Sequence, residues 1–362
     1  MASEIPQYFF ESDVTNDVID IYEKPKIKME LLQDPDPRGL RVSLEGKCID
    51  YSIANAIRRT VMTHIPIYGF RRENIHIDND KTKYIYNNNM IWMQIESLPI
   101  YDIPNYYDLE NPAVFLSDEV ANEIFNSYGK EKSTESTDKK MFKIEFFLNV
   151  RNDTDTYLFV NTHNAIFKIN DKIADNYKKY KPIDILVLRP GDEVHLNATA
   201  SLGIAKQMES QLTSQYEATT NAIHKEISPT KYEIVYKSLG QLDKMVIFQK
   251  ACIIIIKKLE LLSKYLNGKY KDEKVNSKKI EIDITGEDDT MGGLLQTILQ
   301  KCKYVYKAGY IRKHPSIELL TIRYVMEENS EIGPIKVLID SIKYMISVFE
   351  IILTKSKEIT KK

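Results

Sequence analysis

Cysteine is scarce: Cys48, Cys252 and Cys302 are the only three in 362 residues, far apart and set within apolar patterns. They form no CxxC pair and no Cys/His cluster, which argues against a disulfide scaffold and a structural zinc site and points to a reducing compartment. Tryptophan occurs once, and 50 basic residues nearly cancel 52 acidic ones. A free-standing nucleic-acid-binding protein, which needs a basic groove with stacking aromatics, is therefore disfavoured. Long apolar runs are missing too. The greasiest, Ile253 to Ile256, is bracketed by Lys250, Lys257 and Lys258 and falls far short of the roughly 20 residues that cross a bilayer. Glu4, Glu11 and Asp13 stand where a secretory leader would carry basic and then apolar residues, so no leader and no membrane are expected. The six histidines, His64, His76, His163, His195, His224 and His314, carry no paired-ligand spacing. Neither a Gly-x-Ser-x-Gly elbow nor a Gly-Lys-Ser/Thr phosphate loop occurs. The expectation is a chain without catalytic, cofactor-binding or metal residues, and a separate enzyme is the weakest alternative.

What is present is apolar periodicity. With 43% hydrophobic residues the chain can bury substantial cores, and its length suggests two or three domains. From Asp50 to Pro66 the sequence reads as one helix of about four turns, started by Asp50 or Ser52 and stopped before Pro66. Ile53, Ala54, Ile57, Val61 and Ile65 fall within one stripe of about 120°, and Arg59 points almost directly away from it.

Residues 1–24 read as a loosely held acidic arm. Lys26 to Leu32 and Gly39 to Gly46 alternate as strands around the turn Asp34-Pro35-Asp36-Pro37. Ile67 to Phe70 and Ile75 to Ile77 read as extended, a polar loop covers Asn79 to Asn89, and Asn126 to Lys140 reads as a mobile linker. Phe142 to Val150 and Asp155 to Val160 alternate as strands. Lys178-Lys179-Tyr180-Lys181 is a basic cluster that fits either a phosphate contact or, more commonly, a solvated loop. Ile183 to Leu188 and Val194 to Ala200 flank the turn Arg189-Pro190-Gly191-Asp192 and read as a strand, a turn and a strand. Ile280 to Ile284 and Leu319 to Tyr324 read as further strands, and Asp288, Asp289 and Thr290 start a helix ahead of an apolar run.

Two long seams stand out. Met245, Phe248, Cys252, Ile255, Leu259, Leu262 and Leu266 are spaced alternately by three and four residues, predicting a helix from about Leu242 to Leu266 that Gly268 ends. Ile335, Leu338, Ile342, Met345, Phe349 and Ile352 repeat the pattern from about Pro334 to Lys355. Two such seams in one chain are most economically buried against each other or against the Asp50 helix.

Ser52-Ile53-Ala54-Asn55-Ala56-Ile57-Arg58-Arg59-Thr60-Val61-Met62 followed by Ile65-Pro66 resembles the signature helix of the RNA polymerase alpha family. That family includes the bacterial alpha subunit and the third-largest subunit of eukaryotic and archaeal polymerases. Met90 to Ile100 resembles its short helix ending in a Leu-Pro turn. Leu188 to Lys206 resembles its hairpin returning from an inserted domain, with Gly203-Ile204-Ala205-Lys206 in the place of a Gly-Ile-Gly-Lys motif. Asp288 to Leu295 is similar to the Asp-His-Thr-Leu-Gly-Asn-Leu-Leu signature of the smaller alpha-like subunit, with Asp289 for its His and Gly293 for its Asn; Ala308-Gly309-Tyr310 and His314-Pro315 recur in its order.

The resemblance implies an α+β fold in which two alpha-like dimerisation modules, each a sheet plus long helices, form an intramolecular pseudo-dimer, the first interrupted by a mainly-β inserted domain. Expected limits are 1–24 for the arm, 25–67 with 181–266 for the larger half, 68–180 for the insert, 267–277 for a linker and 278–362 for the smaller half. It implies pairing through Ile53, Ile57, Val61, Phe248, Cys252, Ile255, Leu259, Leu262, Leu294, Leu295, Ile298, Leu338, Ile342, Met345, Phe349 and Ile352. It also implies contact with large subunits through Arg58, Arg59, Gly203 and Lys206. The implied role is a non-catalytic assembly platform of a multisubunit DNA-directed RNA polymerase, docking the second-largest and largest subunits and small subunits, and reaching DNA only through the complex. Such fusions characterise some large DNA viruses, which places the expected site of action in the host cytoplasm (viral factory) and the virion for a viral chain, and in the nucleus for a cellular one.

Overall fold

Asp50 starts the helix that the sequence marks. Its carboxylate accepts from the backbone N–H groups of Ser52 at 2.9 Å and Ile53 at 3.2 Å, and helix α1 runs over Tyr51–Thr63. Ile53, Ala54, Ile57 and Val61 are buried, and Ser52, Ala56 and Thr60 widen the stripe. The computed structural model describes residues 18–103, 142–205, 216–270, 279–312, 319–328, 330 and 332–361. The expected 126–140 linker, Lys206, His314-Pro315 and most of the 267–277 connector lie outside the described residues.

Before α1, strands β1 (Lys28–Leu32) and β2 (Gly39–Glu45) meet across a turn in which Asp34 accepts from the N–H of Asp36 and Asp36 from that of Arg38, both at 2.9 Å. Much later, β10 (Thr219–Ser228) and β11 (Lys231–Ser238) complete an antiparallel sheet in the order β1-β2-β11-β10, and α3 (Lys244–Lys269) follows, capped by Asp243. The C-terminal segment repeats this plan. β12 (Lys279–Thr285), α4 (Asp289–Lys301), β13 (Val305–Arg312), β14 (Leu319–Met326) and α5 (Pro334–Lys361) form a sheet ordered β12-β14-β13 with two helices. Element for element, β2-α1-β10-β11-α3 corresponds to β12-α4-β13-β14-α5, with the same strand order in both sheets. One apolar core takes in both units, from Leu40 and Ile57 through Phe248 and Leu259 to Ile282, Leu295, Leu338 and Phe349.

A second core lies between α1 and β10. It holds β3 (Ile67–Ile77), α2 (Asn88–Glu96), β4 (Ile144–Arg151), β5 (Leu158–Asn161), β6 (Ile166–Ile169), β7 (Lys172–Ile173), β8 (Asp184–Leu188) and β9 (Glu193–Gly203). The strands form a five-stranded sheet, β3-β9-β4-β6-β7, and a two-stranded one, β5-β8.

Several expectations need correction. The resemblance puts the return from the insert at 181, yet Ile185, Leu186, Leu188, Val194, Leu196, Leu202 and Ile204 are buried in the second core, and the first core takes in Ala205 in part and Tyr216 fully. The strands around Arg189–Asp192 are not a hairpin: β8 pairs with β5, whereas β9 sits between β3 and β4. Buried Asn152 explains this. Its N–H donates to the Asp192 carbonyl, its own carbonyl accepts from Gly191, both at 2.9 Å, and its side-chain amide donates to Leu188 at 3.0 Å, so the turn is fastened to the end of β4 and β8 is split from β9. Gly268 does not end α3, which continues to Lys269, and α5 extends past Lys355 to Lys361. The described end of the arm is held, not loose: the Ile19 N–H donates to the Lys301 carbonyl at 2.7 Å, and Ile19 and Ile21 are buried.

Candidate pairing interface between the two units

Helices α1 and α4 are both 13 residues long, and each begins at an aspartate cap, Asp50 and Asp288. They lie antiparallel, since the last residue of α4, Lys301, reaches Asp50 at 3.0 Å while Arg59, late in α1, reaches Asp288 at 3.4 Å. Helices α3 and α5 are antiparallel as well, with Gln249 near the start of α3 donating to Thr360 near the end of α5 at 3.2 Å. The expected seams meet here. Met245, Phe248, Cys252, Ile255, Leu259, Leu262 and Leu266 on α3 and Leu338, Ile342, Met345, Phe349 and Ile352 on α5 are all buried in the shared core, with Ile335 only partly covered. Leu294, Leu295 and Ile298 of α4 join them.

The acidic trio at the start of α4 has three separate basic neighbours. Lys258 of α3 pairs with Glu287 at 3.3 Å, Arg59 of α1 with Asp288, and Arg312 of β13 with Asp289 at 3.2 Å. Among the described residues no group of His, Cys, Asp or Glu is placed to hold a metal ion. On the opposite side, Tyr344 of α5 hydrogen-bonds Cys48 just before α1. Burial pushes the Cys48 thiol up to about 11, and Cys252 and Cys302 are shifted upward by the same cause, so all three thiols stay protonated at neutral pH.

The N-terminal segment clasps the second unit. Lys303 donates its N–H to the Ile19 carbonyl at 3.2 Å, its side chain pairs with Asp20, and the Tyr22 hydroxyl donates to Asp340 on α5 at 3.0 Å. The Lys303 hydrogen bond holds the Asp20 carboxyl below its usual range.

Arg59 is thus not wholly outward: its side chain is 42% exposed but is directed to Asp288. Arg58, like Arg59, is half-buried, and its hydrogen bonds stay within α1. Its Nε and Nη2 donate to Asn55 Oδ1 at 3.1 and 2.8 Å, and its Nη1 approaches the Met62 sulfur at 3.7 Å. Tyr51, 57% exposed, meets His224 edge-on with ring centroids 4.9 Å apart. Burial, then the Arg58 charge, lowers the His224 pKa and keeps that ring neutral. Gly203 presents no surface. It is buried, and a Cβ there would stand 2.6 Å from the Tyr216 ring. Lys178 and Lys179 have acidic partners, Asp175 at 3.1 Å and Asp102 at 3.7 Å, which suits the solvated-loop reading.

Sequence reasoning missed the joint between the two cores. Buried Gln241 accepts from the Tyr68 N–H at 2.7 Å and donates to the Tyr68 carbonyl at 2.8 Å, as a paired strand would. A lone Gln after Leu239-Gly240 carries no pattern that predicts this.

Two sheet-and-helix units of one topology, closed on each other through long helices, define a structural subunit built around a dimerisation domain. Residues 279–355 match the RNA polymerase Rpb3/Rpb11 dimerisation domain. The chain is also 45% identical, over 349 residues covering 94% of it and 96% of the relative, to a protein described as a DNA-directed RNA polymerase subunit of Acanthamoeba polyphaga mimivirus. The chain belongs to the alpha-like subunits of DNA-directed RNA polymerase, a non-catalytic structural family.

Proposed function

We propose that the chain fuses a larger and a smaller alpha-like half, and that their pseudo-dimer is the platform on which the second-largest and largest polymerase subunits dock. The larger half would comprise residues up to Ile67 and from Tyr216 to Tyr270, the insert residues 68–204, and the smaller half residues 279–361. The observation that carries this reading is symmetry inside with asymmetry outside. Buried Ile53, Ile57 and Val61 of α1 occupy the places of buried Met291, Leu295 and Leu299 in α4. Exposed Tyr51 and half-buried Asn55, Arg58 and Met62, the last packed against the shared core, occupy the places of Asp289, Gly293, Gln296 and Gln300. Two dissimilar surfaces at related positions suit two dissimilar large partners, with small subunits added elsewhere and DNA reached only through the complex. Fusion replaces a bimolecular search with a tethered one at an effective concentration on the order of millimolar. With a viral relative, the cytoplasmic viral factory is the place of action we infer.

The test is capture of the other polymerase subunits by tagged full-length chain, wild type against Arg58→Ala and Arg59→Ala. Recovery of both large subunits by the wild type, with loss of the second-largest on Arg58→Ala, is expected. A wild-type chain that captures neither large subunit refutes the platform.

A further inference from the structure

The interface between the halves carries charges that balance only when unlike halves meet. Two sites are related by the internal symmetry, each centred on the capped start of α1 or α4. At the start of α4, two acids, Glu287 and Asp288, face two bases of the first half, Lys258 and Arg59. At the start of α1, one acid, Asp50, faces one base of the second half, Lys301. The groups are largely withdrawn from water: side-chain exposures are 16% for Lys258 and 11% for Glu287, and 16% for Lys301 and 14% for Asp50. Only Arg59 is more open.

The correspondence between halves fixes what like-with-like pairing would meet. Arg59 is the ninth residue of α1 and Thr297 the ninth of α4; Lys301 closes α4 where Thr63 closes α1; Ile49 precedes Asp50 where Glu287 precedes Asp288. Lys258 reaches the loop before α4, and the seam register that matches Met245 with Ile335 and Leu259 with Phe349 puts buried Val348, which carries no charge, at its place on α5. Two first halves pairing together would set Lys258 and Arg59 against a single acid, Asp50, at both sites. Two second halves would set Glu287 and Asp288 against a single base, Lys301, at both sites. Each mispairing leaves a surplus charge, of one sign or the other, in a site that is mostly dry.

We propose that Lys258 and Glu287 are specificity-determining residues for assembly: with Arg59, Asp288, Lys301 and Asp50 they form a charge-balance code that admits first-to-second pairing and rejects both homotypic pairings. This rests on the two-half reading above. Two full chains joined first-to-first and second-to-second would make a closed dimer whose apolar seams are fully covered, so the seams alone do not exclude it. An uncompensated buried charge does, because removing it from water without a partner is strongly unfavourable.

The code makes a prediction that simple stabilisation does not. In Lys258→Met/Glu287→Gln, one acid and one base remain at every site in all three pairings, so discrimination is lost although native pairing stays balanced. In Lys258→Glu/Glu287→Lys, native pairing is again neutral while the homotypic pairings regain a surplus of opposite sign, so discrimination is kept. Full-length chains are unfolded, refolded at micromolar concentration and sized by chromatography with light scattering. Zero-length carbodiimide coupling of Lys301 to Asp50, located by mass spectrometry, then reports unlike-half contact. Wild type and the charge swap are expected to be monomers that give the Lys301–Asp50 cross-link. The neutral pair is expected to raise the dimer fraction about tenfold or more, in dimers lacking that cross-link. A neutral pair as monomeric as wild type overturns the proposal, as do dimers that keep the cross-link or a charge swap that dimerises as much as the neutral pair. Wild-type chain lacking the Lys301–Asp50 cross-link refutes instead the two-half reading beneath it.

Discussion

Leu259→Ala asks whether the two halves stand on one core. Leu259 is fully buried on α3, in the cluster that also holds Ile282 of β12, Leu295 of α4 and Phe349 of α5. The substitution removes three carbons and leaves a cavity that the surrounding helices fill only in part, at a cost of about 2–5 kcal/mol. For a unit of this size each kcal/mol moves the midpoint by roughly 2–4 °C, so a fall of roughly 5–15 °C is expected. Where that fall is felt matters more than its size. If the halves share one core, hydrogen exchange should accelerate together in α3, β12 and α5, while β4 and β9, whose side chains fill the second core, keep their protection. Phe146→Ala, at a fully buried site of that second core, should do the reverse. Wild-type protection of β12 and α5 in Leu259→Ala, with α3 and α1 loosened, would refute a common core.

Adjacent glycines of α4 should respond with opposite signs. At Gly292 a Cβ would stand 2.7 Å from the Tyr310 ring and 2.8 Å from Leu320, so Gly292→Ala should destabilise by about 1–3 kcal/mol in urea titration. At Gly293 nothing lies within 4 Å, and Gly293→Ala should stabilise by up to about 1 kcal/mol. Lys250, buried on α3, has its pKa pushed down to about 8 by desolvation from 10.5. Below about 8 it is charged both folded and unfolded, and the burial penalty is complete. Between about 8 and 10.5 the unfolded chain binds more protons, so stability should rise with pH. Lys250→Met should raise the melting temperature at pH 7, worth on the order of 3 kcal/mol, and abolish that rise; an unchanged pH profile would show that Lys250 is not the source. The three thiols should resist a disulfide reagent at pH 8 until the chain is unfolded, and fast labelling of the native protein would contradict their burial.

The helices were legible in the sequence because their signals are local and redundant. Asp50, Asp243 and Asp288 each cap a helix whose apolar residues recur at three and four, and caps with periodicity need no knowledge of the partner. β12 was legible for the same reason, its Ile280, Ile282 and Ile284 alternating with Glu281 and Asp283. β10 was not, because a bulge between Thr220 and Ile223, with Asn221 at φ +54, sets Thr219 and Ala222 on the core side and breaks the alternation. The apparent hairpin at Arg189–Asp192 failed for a different reason. A turn motif fixes a change of direction, but the pairing partner of each strand is set by Asn152, more than 30 residues away. Arg59 shows the same limit at the site. Spacing set it opposite the stripe, but buried Ser52, Ala56 and Thr60 carry the covered face round to its side, and its approach to Asp288 spans 229 residues, a range at which periodicity carries no information.

That division between local and distant signals also explains where the two halves are free to differ. The pairing core must be filled at equivalent places, and Ile57 with Leu295 or Val61 with Leu299 satisfy it with any large apolar pair, as volume and patterning demand. In a dimer of identical chains the outward face of each such helix would be the same surface twice, so two partners would be told apart only by elements outside it. Here each half carries its own residues, and Arg58, braced by Asn55, stands where α4 has Gln296. A braced guanidinium has already lost rotamer freedom and offers its remaining donors to a carboxylate or a carbonyl at low further cost. A glutamine at the matching place offers no charge. The distinction between the two faces is therefore encoded in side chains that the fold does not need, which is why Arg58→Ala should weaken capture of a large subunit while leaving the melting temperature within about 1 °C of wild type.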